Sequence, residues 1–272
     1  MRLDSLTGLR WWAAFAVFCY HMMNFAPVPG LGAVARYGNH GVAFFFVLSG
    51  FVLTWSARIS GTTVTNFYWR RFARIYPAHV VALLVAIPVF YSVTSATPDP
   101  SRFWVKPFAV VPLLLSLVLL QSWFKDPSIR FSGNPAAWTL GVEAFFYALH
   151  PWLSRLLARV SRRGALLALG IVTAVIMLHR VAAVRDPSGV LAGLPIPVAR
   201  LEEFVMGMVV ARLVQLGAGR RIRPWMGYAA LAAFVTWSVL LRRYGWADPW
   251  SVWVQNLELQ VLAVLFALTI LG

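Results

Sequence analysis

The sequence predicts an all-α fold, a polytopic transmembrane helix bundle of about eight to nine membrane segments. Three observations carry this. Hydrophobic residues make up 60% of the 272-residue chain and charged residues only 12%, where a soluble domain carries about 25% charge. Mean hydropathy is +0.71. Apolar stretches near the ~20 residues needed to cross a bilayer recur from end to end, and no large soluble domain fits between them.

In chain order the candidate spans are 9–27, 40–57, 77–96, 107–124, 137–154, 164–184, 198–217, 225–241 and 251–271. The first reads as a span and not a signal peptide, because it contains His21, lacks a small-residue cleavage site and is followed by more spans. Prolines punctuate the span ends, among them Pro27, Pro98, Pro127, Pro187, Pro224 and Pro249, as expected of short loops. No period of 20–50 residues is present, which sets repeat architectures aside.

Lysine and arginine outnumber the acidic residues 24 to 9, for a net charge of +15. In a soluble protein this balance raises nucleic acid as a partner. Here the basic residues cluster in short loops, where they set topology and meet anionic headgroups, so the bilayer is the expected partner and nucleic acid is not. Arg70-Arg71-Phe72-Ala73-Arg74 is the strongest cluster. It belongs in the cytoplasm, and with two spans before it the N-terminus does too. The basic segments 155–163 and 220–223 also ask for the cytoplasm. Three candidates between Arg74 and Arg155 would put 155–163 outside, so one of 77–96, 107–124 and 137–154 fails to cross. The suspects are 107–124, with Pro112, and 137–154, with Glu143. A re-entrant segment is tolerated only where it is buried in protein or lines a cavity. The expected topology is then eight crossings with both ends in the cytoplasm.

Chemistry is confined to a few polar residues in apolar surroundings. Arg10 and His21 lie in the first candidate span. Eleven residues is about three helical turns, so both fall on one stripe roughly 16 Å apart. Each alone reads as a snorkelling anchor or a packing residue. As a pair on one face they suit a long anionic ligand, its head held by the cation and its far end met by the imidazole. Ser49-Gly50 permits close backbone approach, either of another helix or of a ligand. Arg71 and Arg74 are three apart and either anchor a helix end or grip phosphates. Glu143 lies in the aromatic stretch Trp138 to Tyr147 and is a candidate base, proton carrier or partner of an intramembrane arginine. His150 is nearly in phase with it: either a second polar member of that face or, the favoured reading, a solvated helix-end residue. Arg200 is expected to pair with Glu202 or Glu203. Glu258 is a weaker case of the same kind. Cys19 is the only cysteine, so no intramolecular disulfide or cysteine metal site is possible. No H-E-x-x-H, G-x-S-x-G or P-loop pattern is present, and no metal is expected.

Together these residues resemble the acyltransferase type-three family of bacterial integral-membrane O-acyltransferases. Four blocks match in order: Arg10 with His21; the aromatic run Phe44 to Phe51 ending in Ser-Gly-Phe; Arg71 and Arg74 before Ile75 and Pro77; and Trp138 to Tyr147 around Glu143. Arg200-Leu201-Glu202-Glu203-Phe204 to Gly207 is a weaker fifth. The ordered set covers nearly the whole chain. The resemblance implies a bacterial cytoplasmic-membrane enzyme that moves an acyl group, commonly acetyl, from cytoplasmic acyl-CoA to a hydroxyl of a carbohydrate or glycosylated acceptor. It implies His21 as the base with Arg10 and Glu143 in the catalytic set. Arg70, Arg71, Arg74 and Ser49 would hold acyl-CoA, and Trp138, Tyr147, Arg200 and Glu203 the acceptor. Ala144 and Phe145 depart from the polar pair that usually follows the matched glutamate. The resemblance further implies one acyltransferase domain over 1–272, lacking the one or two helices with which family members usually end. The alternatives are a proton-coupled transporter or flippase, and an inactive truncated member.

Overall fold

A computed structural model describes residues 4–23, 32–60, 63–92 and 105–218, with isolated positions at 225, 229, 232 and 236. The candidate spans 225–241 and 251–271, with Glu258, lie outside the described residues apart from those positions. The elements are α1 (Asp4–Met22), α2 (Gly32–Ala35), α3 (His40–Ser60), α4 (Val64–Phe90), β1 (Tyr91–Ser92), β2 (Lys106–Pro107), α5 (Val110–Leu117), α6 (Pro127–Arg130), α7 (Trp138–Ala158), α8 (Arg162–Arg185), α9 (Ile196–Ala199) and α10 (Leu201–Gln215). Among the described residues the only sheet is the two-residue parallel pairing of β1 with β2. An all-α bundle is what the apolar runs predicted. Three of the described helices are long and apolar enough to cross a membrane: α3 over His40–Ala57, α4 and α8.

The chain divides into two compact units. The first takes its described residues from Met1–Ile59, Ser154–Gly193 and Glu202–Gly272, the second from Ser60–Leu153 and Leu194–Leu201.

In the first unit α3 and α10 meet backbone to backbone. A Cβ at Gly50 would land on the Phe204 carbonyl, and one at Gly207 on the Val47 carbonyl. Two glycines, one from each helix, thus allow an approach that no side chain would permit. Around this seam Phe44, Leu48 and Phe51 pack with Val210 and Ala211. Ile176 of α8 joins Val47 and Met206, and Ala165 of α8 joins Val209 and Leu213. The outer side of α8 presents Leu166, Leu167, Ile171, Val175 and Leu178, a row suited to lipid. Arg212 donates to the carbonyls of Ala158 and Val160 at 2.8 and 2.9 Å, satisfying acceptors left over where α7 ends.

In the second unit α4 starts at Val64, capped by the Thr63 hydroxyl. The expected span 77–96 is therefore corrected: the helix begins more than three turns earlier, runs through Pro77 and Pro88, and contains the arginine cluster. Pro77 removes one hydrogen bond without ending the helix. The candidate 107–124 does not cross. Its helix α5 has 8 residues, about 12 Å, against a ~30 Å hydrocarbon layer. The chain then turns at Leu119, with φ +61°. The segment from there to α7 is irregular but tied down: Gln121 donates to the Ala137 carbonyl at 3.0 Å and Ser122 to the Trp138 carbonyl at 2.6 Å. His79 of α4 donates to the Ser116 carbonyl at 2.9 Å, and Tyr91 pairs with the Ser132 hydroxyl. Irregular backbone among apolar helices survives only when its polar groups are met in this way. The candidate 198–217 is interrupted at Arg200, between α9 and α10.

Candidate active site

Arg71 sits on α4 with its side chain half-buried, while Arg70 and Arg74 are exposed. Its guanidinium lies 5.7 Å from the Phe67 ring centroid and 6.0 Å from that of Tyr147. Tyr147 donates to Glu143 Oε2 at 2.9 Å, one turn back along α7, and the Glu143 carboxylate is close enough to act electrostatically on Arg71. Tyr68 donates to the Ala148 carbonyl at 3.0 Å, fixing the two helices against each other. Arg71 is thus brought together with Glu143 and Tyr147, which lie far from it in sequence.

His150 belongs to this group as well. It is 2% exposed and its imidazole stacks on Phe67 at 5.1 Å and 20°. The expected solvated helix-end position is corrected: α7 continues through Pro151 to Ala158, which keeps His150 inside. Phe67 therefore has the imidazole against it and the Arg71 cation over it, an arrangement that orients the guanidinium through its ring quadrupole. Arg71 Nε is buried and has no hydrogen-bond partner among the described residues. The arrangement offers a planar cation beside a carboxylate, with two exposed arginines on the same helix. That set can take up the phosphates of an anionic ligand.

The other candidate residues lie elsewhere. Arg10 and His21 are both half-buried on the unbroken helix α1, so they share a stripe as the spacing predicts. The His21 ring meets that of Tyr20 edge-on at 5.6 Å. α1 is held by α3 and the turn before it: a Cβ at Gly41 would press on the Ala13 carbonyl and Val17, and one at Gly38 on the Ala16 carbonyl. Trp11, Trp12, Phe15 and Phe18 are left exposed. Ser49 is half-buried on α3 beside the Gly50 contact. Trp138 opens α7, its carbonyl accepting from Ser122. Arg200 ends α9 in the second unit.

The two glutamates, one of which is the expected partner of Arg200, have partners on α8. Within the first unit Glu202 meets His179 at 3.2 Å and Arg180 at 3.8 Å, and the fully buried Glu203 lies 4.0 Å from Arg180. α10 starts at Leu201, so both glutamates belong to its first turn, after the break at Arg200. Sequence reasoning passed over His179 and Arg180. The signal was two adjacent ionisable residues inside an apolar stretch, the pattern that marks intramembrane polar sites.

Outside the helices, Lys106 donates to the Pro127 carbonyl at 2.8 Å. Burial lowers its pKa, opposed by nearby Asp126. Asp126 caps α6, accepting from the Ser128 amide at 2.8 Å, and hydrogen bonds from Ser128 hold its carboxyl below the usual range.

Long apolar helices with ionisable side chains set into them define a multi-helix membrane protein. The model of the Acyl_transf_3 family, described as an acyltransferase domain, matches residues 3–272, and the chain belongs to this acyltransferase type-three family. It is 38% identical over 237 residues to Acyltransferase MdmB of Streptomyces mycarofaciens, across 81% of this chain and 59% of that protein. It is 30% identical to Nodulation protein 10 of Rhizobium leguminosarum bv. viciae, across 58% of this chain and 46% of that one. Peptidoglycan O-acetyltransferase OatA of Listeria monocytogenes is 37% identical over 97 residues, 34% of this chain and 14% of OatA. The chain thus spans about half the length of the first two relatives. No solved structure matches it.

Proposed function

We propose that the protein is a membrane O-acyltransferase that moves an acyl group, in the first instance acetyl, from cytoplasmic acyl-CoA to a hydroxyl of a carbohydrate or glycosylated acceptor. Its place is the bacterial cytoplasmic membrane, with the N-terminus in the cytoplasm. One observation carries the reading: in a chain of this family, the arginine of the matched Arg-x-x-Arg element stands beside the glutamate and tyrosine of the matched Trp-to-Tyr element.

Acyl-CoA supplies an activated thioester and a highly anionic head. Arg71 takes the head's phosphates through its planar fork, aided by Arg70 and Arg74, with Ser49 part of the donor-binding set. Glu143 and Tyr147 keep the guanidinium turned. His21 accepts the acceptor's hydroxyl proton as the oxygen attacks the thioester carbonyl, and returns it to the departing thiolate. Arg10, roughly 16 Å away on the same stripe, meets negative charge at the head end of the ligand. Trp138, Tyr147, Arg200 and Glu203 are the acceptor-binding set. The relative OatA is by name an O-acetyltransferase of peptidoglycan, which supports a sugar hydroxyl as the acceptor class.

The test is calorimetric titration of acetyl-CoA into the purified protein, alongside the Arg71→Ala/Arg74→Ala variant, with transfer to a sugar acceptor assayed in His21→Ala. Binding lost in the double variant is the expected result. His21→Ala should keep binding and lose transfer by about 10²–10⁴-fold. Wild type that folds but does not bind acetyl-CoA overturns the donor assignment.

A further inference from the structure

The four ionisable groups His179, Arg180, Glu202 and Glu203 lie together in the first unit, and the first three take no part in the proposed reaction. His179 belongs to α8, inside a stretch apolar enough to cross a membrane. Its Nδ1 faces both carboxylate oxygens of Glu202, at 3.2 and 3.3 Å. Its Nε2 faces the Leu191 carbonyl at 3.2 Å. The side chains of His179 and Glu202 are 9% and 10% exposed, so water does not replace these partners.

A peptide carbonyl only accepts hydrogen bonds, and an ionised carboxylate only accepts. Arg180 stands 3.8 Å from Glu202 and 4.0 Å from Glu203, a cation placed against both carboxylates. An imidazole between two pure acceptors satisfies both only if each ring nitrogen carries a hydrogen. A neutral ring would set a bare lone pair against one of the two oxygens. Among the described residues, the charged groups acting on the imidazole are Glu202 and Arg180.

We infer that His179 and Glu202 form a proton-binding site in which His179 is held as an imidazolium, tying the segment after α8 to the first turn of α10. The proton is the ligand, and it is bound by a pair that the catalytic reading leaves out.

The experiment is nitrogen NMR of the full chain, labelled at its five histidines, in lipid nanodiscs near neutral pH. One histidine is expected with both ring nitrogens protonated. The signal should disappear in His179→Gln. In the isosteric Glu202→Gln it should convert to a neutral ring with its hydrogen on Nε2, because the amide can donate to Nδ1 while Leu191 keeps its bond. Should His179→Gln fail to fold, Glu202→Gln alone still assigns the signal. A wild type with five neutral imidazoles overturns the inference, as does a doubly protonated signal unchanged in Glu202→Gln. A carboxylic-acid infrared band in wild type that is lost in Glu202→Gln also overturns it, since the proton would then reside on the carboxyl group.

Discussion

Where α3 meets α10 the contact is made by hydrogens and carbonyls: Gly50 against Phe204, Gly207 against Val47, with phenylalanine, leucine and valine filling the flanks. Where α4 meets α7 it is made by charged, polar and aromatic groups: a guanidinium over two rings, a phenol on a carboxylate, an imidazole stacked on phenylalanine. Both are helix pairs in the same apolar setting. The first gains from surface and close approach, and tolerates nothing larger. The second gives up packing for groups that must stay oriented, and is braced by hydrogen bonds such as Tyr68 to the Ala148 carbonyl. The difference separates residues that make the fold from residues to which the proposed function gives a use.

Three variants test that division. Gly207→Ala should have the largest effect, because the new methyl meets a backbone carbonyl that cannot swing aside. Overpacking of this kind costs about 1–3 kcal/mol or more, read as a fall in thermal midpoint, with acetyl-CoA affinity of the folded fraction unchanged. A midpoint equal to wild type would mean that the glycine seam is not the tight contact described. Phe67→Leu should do the reverse. It keeps an apolar side chain and loses the ring quadrupole, so acetyl-CoA affinity should drop roughly fivefold, as expected for a cation–π contact worth about 1 kcal/mol, with little change in midpoint. Tyr147→Phe removes one hydrogen bond to Glu143 and should cost about 1 kcal/mol or less. A loss of stability exceeding that of Gly207→Ala would erase the division altogether.

The smallest effect belongs to Asp126. Its carboxyl is held below the usual range by Ser128, chiefly by the side-chain hydrogen bond and then by that of the backbone. A group whose folded pKa is depressed adds stability above its unfolded pKa and loses it as pH falls through the folded value. Asp126→Asn should therefore match wild type in acid and fall slightly below it near neutrality. Melting curves between about pH 3 and pH 7 read this out. The effect is small because the carboxylate is fully solvated.

The sequence made some of this plain and hid the rest for physical reasons. α1, α3 and α8 are close to the runs 9–27, 40–57 and 164–184 because an unbroken apolar stretch of that length has few other structures open to it. The close approach at Ser49-Gly50 was legible from residue size alone. α4 was misjudged at its start, because arginines and Pro77 read as punctuation, whereas Thr63 caps the helix upstream and Pro77 costs it only one bond. That 107–124 falls short was legible as one of two suspects, from the conflict among the basic loops and from Pro112, but the left-handed turn at Leu119 is announced by no pattern. Arg71 with Glu143 joins distant segments: that Glu143 could partner an intramembrane arginine was legible, but which arginine was not. His179 and Arg180 went unremarked because adjacent ionisable residues near a span end look like a solvated boundary.

Helix α4 has 27 residues, about 40 Å, against a hydrocarbon layer of ~30 Å. Its arginine-bearing first turns consequently reach the depth of lipid phosphates. Arg70 and Arg74 then have rival anions always at hand, at a local concentration no soluble ligand attains. Donor affinity measured in a zwitterionic detergent and in a bilayer rich in anionic lipid should differ, with the anionic bilayer acting as a competitive inhibitor that dilution does not remove.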